Sequence, residues 1–453
     1  MNEQKTEIDI HSLLQLAVEE SDSATITQLL EPLSSSDALR EILNLNSDQR
    51  DIALQLVTVE LAAELVEEAP RELAASLVDR MPTNRGLDVI EALDSNIRAD
   101  VIGEMDDSQA EVILTEMPED DAADVRRLIE YDDETAGGLM SAEAFTFNES
   151  STVGAVLSRL ASDDEDFERF RGQHPYILDA DERPIGVVSL RGLLTANKAQ
   201  ILPSIMSKPL TVSVDTPLEE LEDIFDEYPF LGLPVVEKDG RLAGALSRAA
   251  VSEAMADRVN TESLKRQGVF GDELRSMPLG IRSKRRLIWL SANIVLNIIA
   301  ASVIAAYEDV LTAVIAIAIF LPMVSDMSGC SGNQAVGVTL RELSLGLVRP
   351  ADAFRIWVKE VSVGVINGIV LGILIGLVTW FWKGNPWLGL VIGLALSLNT
   401  ILAVSIGGLV PLLLKRFGQD PAVASGPLLT TITDMAGFFL VLSLATLFMP
   451  LLI

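Results

Sequence analysis

The sequence predicts a multidomain membrane protein: an all-α superhelical N-terminal domain, a pair of α+β units, a connecting helix and a five-helix transmembrane domain. Three observations carry this. Charge is split along the chain, a 12-residue repeat runs through the first third, and long uncharged stretches fill the last third. The 453 residues are enough for several domains. The expected boundaries are 1–131, 132–249, 250–283 and 284–453.

Charge comes first because it separates two chemistries. The chain carries a net −32, yet 49% of its residues are hydrophobic. From Lys284 onward there are ten Lys/Arg and eight Asp/Glu, a net +2, which leaves −34 on the first 283 residues. An acidic region of that strength repels nucleic acid and anionic lipid and attracts cations. Much of the acidity is also what keeps a domain soluble.

Catalytic chemistry finds little support. Cys330 is the only cysteine, which excludes an intramolecular disulfide, and His11 and His174 lie far apart. No Cys/His metal site, Ser–His or Cys–His pair, or Walker motif is present, so the chain reads as a non-enzyme that does not hydrolyse ATP. The polar, acidic start MNEQKTEIDI does not resemble a secretory signal, which places the soluble part on the cytosolic side.

Residues 58–130 repeat every 12 residues. The punctuation is Pro70, Pro82, Asp94, Asp106, Pro118 and Glu130. Seven positions on come Leu77, Val89, Val101, Ile113 and Val125, and eleven on come Met81, Leu93, Met105, Met117 and Ile129. Such a unit is one short helix plus a turn, and stacked units bury their apolar faces on one another. Then TAGGLM at 135–140 reads as a glycine link. Strands are expected at 176–178 and 185–190, with a helix at 191–197. The pattern recurs as a helix at 217–226 and strands at 233–236 and 242–246, with Gly240 in the turn. Residues 250–268 form a charged helical stretch before the basic foot of the first span.

A span needs about 20 apolar residues. Uncharged or nearly uncharged stretches occur at 287–307, 310–338, 361–382, 384–414 and 421–453. Lys284, Arg285 and Arg286, then Arg341, Arg349, Arg355 and Lys359, then Lys415 and Arg416, all fall on one side. The N-terminus is therefore expected inside and the C-terminus outside.

Polar residues inside spans are costly and point to function. Asp434 is the only carboxylate of the last span, and no Lys or Arg follows Arg416. Cation binding, protonation and a structural hydrogen bond are all open to it. The run from Ser325 to Gln334 (SDMSGCSGNQ) contains Gly329 and Gly332. Either these glycines break the helix and free carbonyls beside Asn333 for a hydrated cation, or they pack helices closely. Mg²⁺ keeps several waters and uses one or two carboxylates, which suits such a path. Asn293, Asn297, Asn367 and Asn399 read as helix–helix hydrogen bonds.

The two strand-and-helix units resemble a CBS-domain pair. The whole order, over roughly residues 40–450, resembles the MgtE-type magnesium channel family. The stretches that carry this are DDAAD at 120–124, ETAGGLM at 134–140, GVVSLRGLL at 186–194, LPVVEKDGRLAG at 233–244, YEDV at 307–310, SGNQ at 331–334, KE at 359–360 and DPAVASGPLLTTITDMAG at 420–437. The resemblance implies a homodimer in the bacterial inner membrane, importing Mg²⁺ through a pore to which Asp434 supplies the carboxylate and Asn333, Gly329 and Gly332 the lining. It also implies a plug helix at 250–283, regulation by cytosolic Mg²⁺, and the CBS pair as a candidate site for ATP. Candidate regulatory ligands are Glu116, Asp120, Asp121, Asp124, Asp215, Glu219 and Asp223. Three departures stand out: Cys330 and Gly426 occupy positions where the family carries Asn, and Ser247–Arg248 replaces paired aspartates at the end of the second CBS unit. Rival readings are a CBS-regulated secondary transporter of another divalent cation such as Co²⁺, and a membrane-anchored ion sensor.

Overall fold

The computed structural model describes residues 10–161, 174–269, 273–275, 277–344, 347–418 and 421–453. Asp420 and residues 270–272 of the connecting segment lie outside them. The chain divides into a soluble unit, chiefly residues up to Val259, and a membrane unit that takes in Pro278–Ile453.

Among the described residues, the soluble unit opens with ten helices: α1 Ile10–Glu19, α2 Ser23–Leu30, α3 Ser35–Asn44, α4 Ser47–Leu56, α5 Val59–Glu67, α6 Arg71–Asp79, α7 Thr83–Ala92, α8 Ser95–Glu104, α9 Asp107–Glu116 and α10 Glu119–Ile129. From α2 onward every helix starts 12 residues after the last. The repeat thus begins upstream of residue 58, where Asp22, Ser34, Asn46 and Thr58 cap the helices by accepting the amide three residues on. Pro70, Pro82 and Pro118 occupy the same position further along, where their fixed φ suits the turn into a helix. Leu77, Val89, Val101, Ile113 and Val125 are all buried, and they form one continuous core. The last unit departs from the pattern. Ile129 is 41% exposed, and Glu130 ends α10 instead of opening another helix. Two buried arginines tie turns together. Arg50 donates to the carbonyls of Leu43 and Leu45, and Arg98, 48 residues later, donates to those of Glu91 and Leu93.

Two three-stranded sheets follow with the same topology. In the first, β1 Thr146–Asn148 runs parallel to β2 Tyr176–Leu178, which pairs antiparallel with β3 Pro184–Val187. In the second, β4 Val212–Ser213, β5 Gly232–Val236 and β6 Leu242–Ser247 repeat that order. This is the CBS pair the sequence led us to expect. The strand read at 185–190 is shorter, because Ser189 leaves the sheet and caps a helix by accepting the Gly192 amide. The glycine link is a helical turn, α11 Ala136–Leu139, whose first amides donate to the carbonyls of Thr216 and Val214. It therefore belongs to the second sheet's edge. α12 Val153–Leu160 and α13 Leu190–Thr195 cover the first sheet and α14 Leu218–Glu227 the second. The first sheet has its own small core around Ile177 and Leu193. The second shares its core with the helical array, and there Arg127 donates to the Ala243 carbonyl and Tyr131 to Glu237. α15 Arg248–Arg266 then runs out of the unit.

Among the described residues, the membrane unit has five helices long and apolar enough to span: α16 Leu279–Ala305, α18 Leu321–Ser344, α19 Ala353–Lys383, α20 Pro386–Arg416 and α21 Pro421–Leu447. Short α17 Glu308–Ala313 and a 3₁₀ turn at Ile315–Ile319 lead into α18, and α22 Met449–Leu452 closes the chain. α20 is the most buried span and α16 the least. Pro386 sits at the first turn of α20 under an Asn385 cap, and Pro411 lies inside it, so residues 386–416 form one helix. α19 and α20 meet through glycines spaced by four. An ideal Cβ on Gly368 would lie 2.7 Å from the Ser397 carbonyl oxygen, and one on Gly376 would lie 2.9 Å from that of Gly389. Small residues permit this approach where lipid offers no hydrophobic drive.

Candidate ion site in the membrane unit

The helix break expected at Gly329 and Gly332 does not occur. α18 is continuous through both, so their carbonyls stay in the helical ladder. The irregular backbone lies earlier, at 314–320, where the chain passes through the 3₁₀ turn. Both glycines are buried. A Cβ on Gly332 would stand 2.9 Å from a Leu429 methyl and 3.0 Å from the Ala403 carbonyl oxygen. One on Gly329 would meet Thr433 Oγ1 at 3.7 Å. Of the two readings the sequence left open, the contacts are those of close packing.

The opposite face of α18 is open and carries the helix's exposed polar side chains. Asp326, Cys330, Asn333, Gln334 and Arg341 are exposed, as are the apolar Met323, Met327 and Val338, whereas Ser325, Ser328, Ser331 and Thr339 are buried. Asn333 thus lies on the open face.

Asp434 lies half-buried on α21. Ser325 of α18 donates its hydroxyl to Asp434 Oδ1, and Asp326 is within electrostatic reach. Among the described residues no Lys or Arg pairs with Asp434. On the preceding residue, the Thr433 carbonyl accepts a 3.1 Å bond from Nδ2 of Asn399, a fully buried side chain of α20. Asn399 is therefore a helix–helix hydrogen bond, as expected. Asn293 and Asn297 instead donate to carbonyls of their own helix, those of Trp289 and Asn293.

The seven acidic candidates of the soluble unit do not come together. Asp121 faces Arg98 at 3.7 Å, Asp124 faces Arg127 at 2.9 Å, Asp215 faces Lys238 at 3.2 Å and Glu219 faces Arg258 at 2.8 Å. Glu116, Asp120 and Asp223 are exposed. Among the described residues, no group of three or more His, Cys, Asp or Glu side chains could hold a metal ion. A carboxylate already paired with a fixed cation attracts an ion less strongly.

Two further features lie in the soluble unit. A cavity of about 210 Å³ is lined by Arg71, Asp100, Glu104 and Asp133. Arg71 reaches Asp133 at 2.6 Å and Asp100 at 3.1 Å. Burial raises the Asp100 carboxyl to about 7 despite Arg71, with Asp133 and Glu104 adding repulsion. The second feature is Arg248. It donates to the carbonyls of Phe225, Tyr228 and Phe230, and its guanidinium stacks 5.2 Å from the Phe225 ring centroid. A cation at the C-terminal end of α14 is favoured by the helix dipole.

Comparison with known proteins matches these parts in order. A family model described as a divalent cation transporter matches residues 321–444. The MgtE intracellular N domain matches 33–134, and a CBS domain matches 202–257. The chain is 33% identical over 329 residues to the magnesium transporter MgtE of Thermus thermophilus, covering 72% of each chain. It is 29% identical over 331 residues to that of Enterococcus faecalis, covering 73% of this chain and 72% of the relative. A solved cytosolic domain of the Mg²⁺ channel MgtE in complex with ATP aligns at 29% identity and TM-score 0.49, over 54% of this chain and 99% of that one. On the family matches and the Thermus relative, the chain belongs to the MgtE family of divalent cation transporters.

Proposed function

We propose that the chain conducts Mg²⁺ across the bacterial inner membrane as a homodimer, with Asp434 as the pore carboxylate. The observation that carries this is the open polar face of α18 beside a half-buried carboxylate that has no basic partner among the described residues. Lipid disfavours Asp, Asn and Gln, so that face suits a water-filled path or a second copy of the chain. Two Asp434 carboxylates, one from each protomer, would repel one another, and a divalent ion relieves the repulsion better than a monovalent one. Asn333 lies on the same open face and suits contact with a hydrated ion. Gly329 and Gly332 shape the path by letting helices approach rather than by ligating.

The relatives named as magnesium transporters and the open face together favour Mg²⁺. Basic residues flanking the spans favour an N-terminus inside and a C-terminus outside. Regulation is assigned to the soluble unit, with Mg²⁺ and a nucleotide as effectors; the ATP complex of the MgtE cytosolic domain supports the second. Arg248 supplies a permanent cation at the end of the CBS pair, so control by internal Mg²⁺ is weakened or rewired here. Mg²⁺ binding by the soluble residues as strong and multivalent as in other family members would contradict that point.

The test is Mg²⁺ uptake into liposomes holding purified protein, wild type beside Asp434→Ala. Uptake that is lost in the variant supports the reading. No uptake by wild type, at low and high internal Mg²⁺, would put the membrane-anchored sensor in its place.

A further inference from the structure

We infer that Asn399 is a positioning residue that sets the direction of the Asp434 carboxylate, together with Ser325 and a slot at Gly437. This rests on the reading of Asp434 as the pore carboxylate.

Three helices meet at this point. Asn399 on α20 is fully buried, and its Nδ2 donates to the Thr433 carbonyl of α21 at 3.1 Å. That carbonyl sits one residue before Asp434. In the helical ladder it also faces the Gly437 amide, and a carbonyl oxygen accepts two donors through its two lone pairs. Residue 437 must be small for the asparagine to reach in. An ideal Cβ there would lie 2.8 Å from Asn399 Nδ2 and 3.7 Å from Ser325 Cα. From α18, the Ser325 hydroxyl donates to Asp434 Oδ1. Asp434 is thus held twice: α20 fixes the backbone and hence the rotation of α21, and α18 fixes one carboxylate oxygen. The other oxygen is left to meet an ion. The carboxylate direction matters because Mg²⁺ demands near-ideal octahedral geometry, which a less exacting ion does not.

Asn399 is not merely a packing residue. Its Oδ1 is buried without a hydrogen-bond partner among the described atoms. A side chain chosen for stability alone would be apolar there, since an orphaned buried acceptor costs free energy. The amide is kept for its donor.

The test is flux through the full chain in liposomes, comparing wild type, Asn399→Leu and Asp434→Asn, with thermal unfolding measured alongside. Asn399→Leu keeps the branched four-atom side chain and removes the donor. The expected result is a half-saturating Mg²⁺ concentration raised by about tenfold, as for loss of an outer-shell partner. The ratio of Mg²⁺ to Co²⁺ flux falls, and the unfolding midpoint stays near wild type. A variant whose maximal flux and unfolding midpoint fall together, with half-saturation and the ion ratio unchanged, shows a structural role and overturns the inference. If Asn399→Leu does not fold, Gly437→Ala and Ser325→Ala decide by the same readouts: unchanged half-saturation in both overturns it. Flux retained by Asp434→Asn defeats the pore-carboxylate reading and the inference with it. Flux lost there but Mg²⁺ half-saturation unchanged in Asn399→Leu defeats the inference alone.

Discussion

Gly372 and Gly393 face each other across α19 and α20 at a distance that admits no side chain: an ideal Cβ on either would stand 2.5 Å from the other's carbonyl oxygen. The Ser397 hydroxyl lies closer still to the Gly372 position and donates to the Gly368 carbonyl. The contact is van der Waals packing of backbone on backbone, the form of adhesion available between helices in lipid. Gly→Ala within a helix normally stabilises by up to about 1 kcal/mol. Here the sign reverses. Gly372→Ala and Gly393→Ala should each destabilise by about 1–3 kcal/mol through overpacking. Gly337→Ala, with no atom within 4 Å of the new methyl, should be neutral or stabilising. Thermal unfolding in detergent separates the two classes.

The two faces of α18 should respond differently to substitution. Asn333→Ala removes an exposed amide from the open face. It should lower Mg²⁺ uptake several-fold while leaving the unfolding midpoint in place. Gly332→Ala forces a methyl against Leu429 and the Ala403 carbonyl, and should lower the midpoint by the equivalent of about 1–3 kcal/mol. Equal loss of stability in both variants would contradict the division of this helix into a packed and an open face.

Arg248 closes the C-terminal end of α14 by donating to three carbonyls. Arg248→Met keeps the stem but leaves those acceptors without their donor, at a cost of about 2–4 kcal/mol. Lysine should recover only part of this, because an ammonium lacks the planar fork that serves several carbonyls at once. Amide hydrogen exchange in β5 and β6 reads the effect where it arises.

Asp100 predicts a pH dependence with a definite sign. Its carboxyl stands at about 7 in the fold against an ordinary 3.8, because burial outweighs the pull of Arg71. Below the ordinary value both states hold the proton and nothing is lost. As pH rises toward 7 the unfolded chain ionises first, so the fold loses stability through that window and levels off above it. Asp100→Asn removes this slope. The variant should match wild type near pH 4 and exceed it by about 2–4 kcal/mol at pH 8. Hydrogen exchange of α8 across this range is the measurement; a difference independent of pH would contradict the assignment.

Local rules made much of the architecture legible. The 12-residue unit is written in caps and prolines, and a helix start depends on few neighbours, so the spacing from α5 to α10 could be read directly. The units at Ser23, Ser35 and Ser47 belong to the same repeat, with Asp22, Ser34 and Asn46 as their caps. The five spans follow from length and apolarity alone. Asp434 is legible in the same way, because a lone carboxylate in a span is costly and so marks a functional or partnered position.

The tertiary structure alone decided which face each residue meets. Gly329 and Gly332 could break a helix or pack one, and only neighbours on α20 and α21 make them packing sites. The glycines at 364, 368, 372 and 376 carry a visible spacing of four, yet their partners on α20 depend on how two antiparallel helices register. The acidic residues of α10 looked like ion ligands by charge; Arg98 and Arg127, brought in by folding, pair two of them. Asn399 has no motif around it, and its bond to Thr433, 34 positions on, exists because the intervening chain returns α21 to its side. Sequence records what a residue can do with its own helix. Contacts between helices depend on rotation and register, which many weak packing terms set together.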